Sequence, residues 1–148
     1  LRIAVPSNAV AAEMVLSVNN PFHRIGATYL DSPRGMPLYR NQQLLEEGVP
    51  GLTLNGHAKH RLPNTLNVSF PGLSGRKLLH TVEADVAASV GSACHDGSDA
   101  VSGVLAAMGF AIDRALGAVR LSVGMPTTED EVRHAASVLA SAFRKEGT

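Results

Sequence analysis

Two stretches alternate apolar and polar residues with a period of two, Thr65-Leu66-Asn67-Val68-Ser69-Phe70 and Val119-Arg120-Leu121-Ser122-Val123. That is the period of a strand with one face buried. A third pattern has the helical period. Val132, Ala135, Ala136, Leu139 and Phe143 fall on one stripe, the inward face of a long amphipathic helix. Its start is marked by Pro126-Thr127-Thr128-Glu129-Asp130-Glu131. There Thr128 followed three positions on by Glu131 predicts a capping box.

Between these landmarks the pattern predicts shorter elements. Leu38 to Glu47 suits a helix stopped by Gly48, glycine being the commonest helix stop. Val49-Pro50-Gly51 is a turn, and Leu52 to Leu54 a strand halted by the turn pair Asn55-Gly56. His57 to Arg61 is a polar loop. Gly72-Leu73-Ser74-Gly75 is a turn leading into a helix at Ser74 to Thr81 that points Leu78 and Leu79 inward. Val86 to Val90 reads as a strand of small residues. Val101 to Met108 reads as a helix capped by Ser98 or Asp99 and stopped by Gly109, with a further helical turn at Ile112 to Leu116. Residues 1–36 are expected to be irregular or partly helical, with one helix inside Val10 to Val18 before the breakers Asn19-Asn20-Pro21 and Ser32-Pro33-Arg34-Gly35. Strands and helices thus mix along the chain. The expected fold is an α/β (α+β) two-layer domain, a small sheet with helices packed mainly on one face.

Composition narrows the function classes. Charged residues are 18% of the 148, low for a free-standing domain. Some surface is therefore expected to be covered by a partner or by another part of a longer chain. Thirteen basic residues balance thirteen acidic ones, so no basic excess points to nucleic acid. No apolar run reaches membrane-spanning length. The opening Leu1-Arg2-Ile3-Ala4-Val5-Pro6 has neither a signal-peptide pattern nor an initiator Met, as expected of a fragment or a processed product. One cysteine excludes an internal disulfide and fits a reducing compartment, cytoplasm or organelle matrix.

That cysteine, Cys94, lies in Gly91-Ser92-Ala93-Cys94-His95-Asp96-Gly97-Ser98. A lone cysteine is most often a small buried hydrophobe. Here burial would strand the polar neighbours, which favours an accessible thiol. His95 could lower its pKa or relay a proton, although adjacent side chains tend to diverge. Arg120 interrupts an otherwise apolar strand. It either points to solvent or grips a carboxylate in a cleft with its planar fork, and the pattern leaves both readings open. His57 and His60 with Cys94 match no zinc spacing, and a second cysteine is lacking. They read as a solvated loop.

Taken in order, four motifs resemble the small carboxy-terminal domain of cysteine desulfurases and selenocysteine-lyase-like enzymes, within the class V aminotransferase family of fold type I. They are Arg61-Leu62-Pro63-Asn64-Thr65-Leu66-Asn67-Val68-Ser69-Phe70, Gly91-Ser92-Ala93-Cys94, Ser102-Gly103-Val104-Leu105-Ala106-Ala107-Met108-Gly109, and Val119-Arg120-Leu121-Ser122-Val123-Gly124 with Thr127-Thr128-Glu129. The resemblance spans residues 37–146 and is strongest over 61–128. The Cys94-His95 pair and Leu121-Ser122-Val123-Gly124 are closer to the selenocysteine-lyase-like branch. Val101 stands where the family usually has proline, and Met125 where it often has arginine.

The resemblance implies residues 37–148 as a small domain with a mostly antiparallel sheet. It implies a complete enzyme that is a homodimer holding pyridoxal 5'-phosphate on a lysine in a Ser-X-His-Lys context. None of Lys59, Lys77 and Lys145 has that context, so the cofactor-binding large domain is expected to lie outside this chain. It implies further that Arg120 binds the carboxylate of L-cysteine or L-selenocysteine. Cys94 would take the sulfur as a persulfide, with His95 as a possible support, alanine would be released, and a sulfur-acceptor or scaffold protein of iron–sulfur cluster assembly would receive the sulfur. Two other readings are a stand-alone sulfur-carrying or docking module and an inactive truncated copy.

Overall fold

The computed structural model describes residues 36–58, 60–62, 64–91, 101–124 and 126–147, the first five by backbone alone. The expected helix at Val10 to Val18 lies outside them. The two alternating segments are strands β2 (Thr65–Ser69) and β3 (Ala118–Ser122), paired antiparallel, and β1 (Thr53–Leu54) adds to the other edge of β2. The register sets Leu66 opposite Leu121, Val68 opposite Val119 and Asn67 opposite Arg120. Leu66, Val68 and Val119 are fully buried and Leu121 nearly so. The intervening Asn67, Arg120 and Ser122 occupy the other face, as a period of two requires.

Three helices cover the apolar face: α1 (Met36–Gly48), α2 (Gly75–Thr81) and, after the strands, a long C-terminal helix, Glu129–Glu146. Leu45, Val49, Phe70, Leu78, Ala136 and Leu139 close the core between them and the sheet. Two short helices, α3 (Gly103–Ala107) and α4 (Ile112–Leu116), precede the C-terminal helix, α5. They build a second, smaller core of Leu105, Ala115 and Ala118 at one end of the opposite face. The layering is the expected one, with that end as its exception. The capping box of Thr128 and Glu131 is present, and α4 keeps the expected bounds.

Gly48 is the last residue of α1, as expected, and it ends the helix without a positive φ. A Cβ there would lie 2.8 Å from Ala140 Cβ, so its smallness lets α1 and α5 cross closely. Two local expectations are corrected. Val86 to Val90 is not a strand. The turn after α2 continues to Val86, whose N–H bonds to Val82 O at 2.9 Å, and pairing is reached at Ser89 alone, as a single bridge to Arg120. The α3 helix begins at Gly103, with Ser102, not Ser98 or Asp99, at its N-cap. The extended ψ of Ser102, 122°, breaks the helical run there, and half-buried Val101 packs on the small core. Gly109, with φ +75°, stops the helix as expected.

Candidate functional site

Arg120 sits mid-strand in β3, and its backbone is held from both sides. Across one edge it faces Asn67 of β2. Across the other, Ser89 N–H donates to Arg120 O at 3.1 Å and Arg120 N–H donates to Ser89 O at 2.6 Å. Its side chain is exposed on the open face and makes no hydrogen bond or ion pair among the described residues. A guanidinium fixed at its root, with five donors free, is ready to receive a carboxylate as a fork.

A second arginine nearby is fully engaged. Arg114 of α4 donates from Nε to Asn55 Oδ1 at 2.9 Å and from Nη2 to Leu54 O at 2.7 Å, with its guanidinium 4.0 Å from the Phe110 ring centroid. Buried Asn55 in turn donates from Nδ2 to Asn67 Oδ1 at 2.9 Å and to Ser69 Oγ at 2.7 Å. This network pins α4 to the β1–β2 hairpin and orients Asn67, the neighbour of Arg120. Sequence reasoning missed it. The pair Asn55-Gly56 was legible as a turn, but nothing in the pattern marks an asparagine as buried.

The chain entering the cysteine segment starts beside Arg120. Ser89 Oγ donates to Gly91 O at 3.0 Å and accepts from Gly91 N–H at 3.3 Å, a tight turn just past the bridge. Cys94 and His95 lie outside the described residues, so the structure brings Arg120 next to the root of their segment and describes no more of it. The His57 and His60 rings lie 4.5 Å apart between centroids, tilted by 53°, and His57 Nδ1 accepts the backbone N–H of His60 at 2.9 Å. Among the described residues no three His, Cys, Asp or Glu side chains gather as metal ligands.

The lysines do not suit a pyridoxal cofactor. Lys77 pairs with Glu146, holding α2 to α5, and Lys145 is exposed near the end of α5. Lys59 lies outside the described residues. Neither described lysine lines any of three grooves bounded by described residues.

No family model matches the chain. Curated relatives do. A protein named cysteine desulfurase IscS from Anaeromyxobacter sp. (strain Fw109-5) is 43% identical over 101 residues, 68% of this chain and 25% of the relative. One of the same name from Neisseria meningitidis serogroup A is 40% identical over 99 residues, 67% and 24% of the two chains. A cysteine desulfurase of Azospirillum brasilense is 46% identical over 85 residues, 57% and 21%. The chain thus spans about a quarter of the length of the curated relatives it matches. Among solved structures, a NifS-like protein superposes with a TM-score of 0.61 at 24% identity, covering 84% of this chain and 29% of its own. A NifS-like protein from Rickettsia africae gives 0.59 at 19%, covering 79% and 31%. These two bear on the fold alone.

Proposed function

We propose, for a chain that belongs to the cysteine desulfurase family, the part of that enzyme's small domain, residues 37–148, which supplies the carboxylate anchor and the sulfur acceptor. The observation that carries this reading is the Arg120 guanidinium, without a partner among the described residues, on a strand whose neighbour, Ser89, leads within five residues to Cys94. Five residues of extended chain reach at most about 18 Å, so one small region can serve both groups.

Arg120 binds the α-carboxylate of L-cysteine and fixes the substrate's orientation. The Cys94 thiolate attacks the substrate sulfur. One S–S bond forms, the substrate C–S bond breaks, and alanine leaves with the proton the thiol gave up, so cysteine and thiol become alanine and persulfide with no outside oxidant. Pyridoxal 5'-phosphate, held elsewhere in a complete enzyme, supplies the electron sink for the C–S cleavage. The name shared by the relatives favours cysteine over selenocysteine. Delivery of the persulfide to an acceptor protein completes the reading.

The test uses a full-length desulfurase completed with this domain. Arg120→Ala is expected to raise KM for cysteine by at least about tenfold, the loss of a charge-assisted fork, with Arg120→Lys recovering part of it. An unchanged KM would return Arg120 to the role of a solvent-facing residue. In the chain alone, Cys94 is expected to react with iodoacetamide under native conditions. A thiol inert until denaturant is added would remove the acceptor from the proposal.

A further inference from the structure

The open face of the sheet carries a second polar side chain beside Arg120. The N–H and the carbonyl of Arg120 both bond to Ser89, so its pairing with Asn67 is the kind that exchanges no backbone hydrogen bonds. Side chains paired in this way share one face of the sheet, with Cβ atoms about 4.5–5.5 Å apart. That face is the open one, because Leu66, Val68, Val119 and Leu121 fill the other. Asn67 is half-buried and Arg120 is exposed.

A relay of side-chain hydrogen bonds fixes which end of the Asn67 amide is which. Guanidinium nitrogens donate and never accept. The Asn55 atom that meets Arg114 Nε is therefore its oxygen, and the other end of that amide is its nitrogen. This nitrogen donates to Ser69 Oγ and to Asn67, so the Asn67 atom that meets it is oxygen. Turning the Asn67 amide round would set donor against donor. The Asn67 oxygen is thus taken up on the β1 side, and its Nδ2 donates no hydrogen bond among the described residues.

The same relay bears on Arg120. The Asn67 oxygen, if it were not held by Asn55, would be an acceptor one strand away from the guanidinium. With that oxygen engaged, Arg120 makes no hydrogen bond or ion pair among the described residues. Two groups that can only donate, the Asn67 Nδ2 and the Arg120 guanidinium, are left on neighbouring strands. Such a pair suits an anion with several lone pairs, and a carboxylate offers about four.

We infer that Asn67 is a second binding group for the substrate's α-carboxylate, its Nδ2 donating to a lone pair that the Arg120 fork leaves free. Arg114 and Asn55 keep the donating end of the amide available. The inference rests on the reading of Arg120 as the carboxylate anchor and adds a neutral donor beside it.

The test compares two substitutions at position 67, measuring KM and kcat for L-cysteine in a desulfurase completed with this domain and urea unfolding of the 148-residue chain. Asn67→Leu removes both the acceptor that Asn55 uses and the two donors. Asn67→Asp keeps the acceptor and puts a charge where the donors were, a charge that pairs with Arg120 and repels the substrate. A side chain that only holds the sheet together makes aspartate the milder change on both measures. The inferred role splits them. Aspartate should be the milder change in urea, yet it should raise KM by at least about tenfold, against at least about threefold for leucine, with kcat within about twofold of the parent in both. A parental KM for Asn67→Leu, or a smaller rise for aspartate than for leucine, overturns the inference. Should Asn67→Leu fail to fold, Asn67→Asp decides alone, and a KM within about twofold of the parent overturns it. Arg120→Ala separates this inference from the reading beneath it. If Arg120→Ala leaves KM unchanged, the carboxylate anchor falls and Asn67 with it. If Arg120→Ala raises KM and the changes at Asn67 do not, the second donor alone falls.

Discussion

Two arginines on the sheet's open side have opposite fates. Arg114 spends its donors on Asn55 Oδ1 and Leu54 O, whereas Arg120 spends none among the described residues. Arg114→Met should therefore cost about 1–3 kcal/mol in urea unfolding, because it strands a buried acceptor. Arg120→Met should fall within about 0.5 kcal/mol of the parent. Equal losses would mean that Arg120 is structural. Gly117→Ala tests steric fit, since its Cβ would stand 2.2 Å from Phe70 O and 3.1 Å from Leu73 O. A loss of at least about 2 kcal/mol is expected, and a neutral result would show that the turn before β3 can move. At this scale it was legible that Arg120 lies off the core face, because Val119 and Leu121 on either side face inward; whether it met solvent or a cleft was left open. Its lack of a partner among the described residues was not legible, since that depends on which groups the fold brings to the open face.

Among the elements, α5 has the strongest local signals. Thr128 Oγ1 accepts from Glu131 N–H at 3.3 Å, and Glu131 Oε2 accepts from Thr128 N–H at 2.7 Å. Thr128→Ala should cost about 1 kcal/mol. The backbone N–H of Thr128, then its hydroxyl, hold the Glu131 carboxyl below its ordinary 4.5. A folded pKa below the unfolded one adds stability that is full above the unfolded value and is lost as pH falls through the folded one. Glu131→Gln should therefore flatten the acid side of the melting-temperature profile below about pH 4.5; an unaltered slope would assign it to other carboxyls. Glu146 is held low in the same direction by Lys77. The capping box and the alternating strands were legible because each is written in neighbouring residues. The run from Val86 to Val90 was misread because apolar content there serves a turn and the core, not a ladder. The site's cysteine segment falls outside the described residues.

For the molecule as a whole, surface and core should respond differently. Val104 and Ile112 are each 67% exposed, so serine at either should change stability by less than about 0.5 kcal/mol. Leu139→Ala in the core should cost about 2–5 kcal/mol. With no lysine in a Ser-X-His-Lys context, the purified chain given pyridoxal phosphate should release no sulfide from cysteine; steady turnover would contradict the domain assignment. The close crossing of α1 and α5 at Gly48 and Ala140 joins segments about ninety residues apart in sequence. During synthesis at about 5–20 residues per second, the ribosome needs roughly 5–20 seconds to travel from one to the other. Through that interval the face of α1 that packs on α5 has no mate, and the nascent chain must keep it sheltered until α5 emerges.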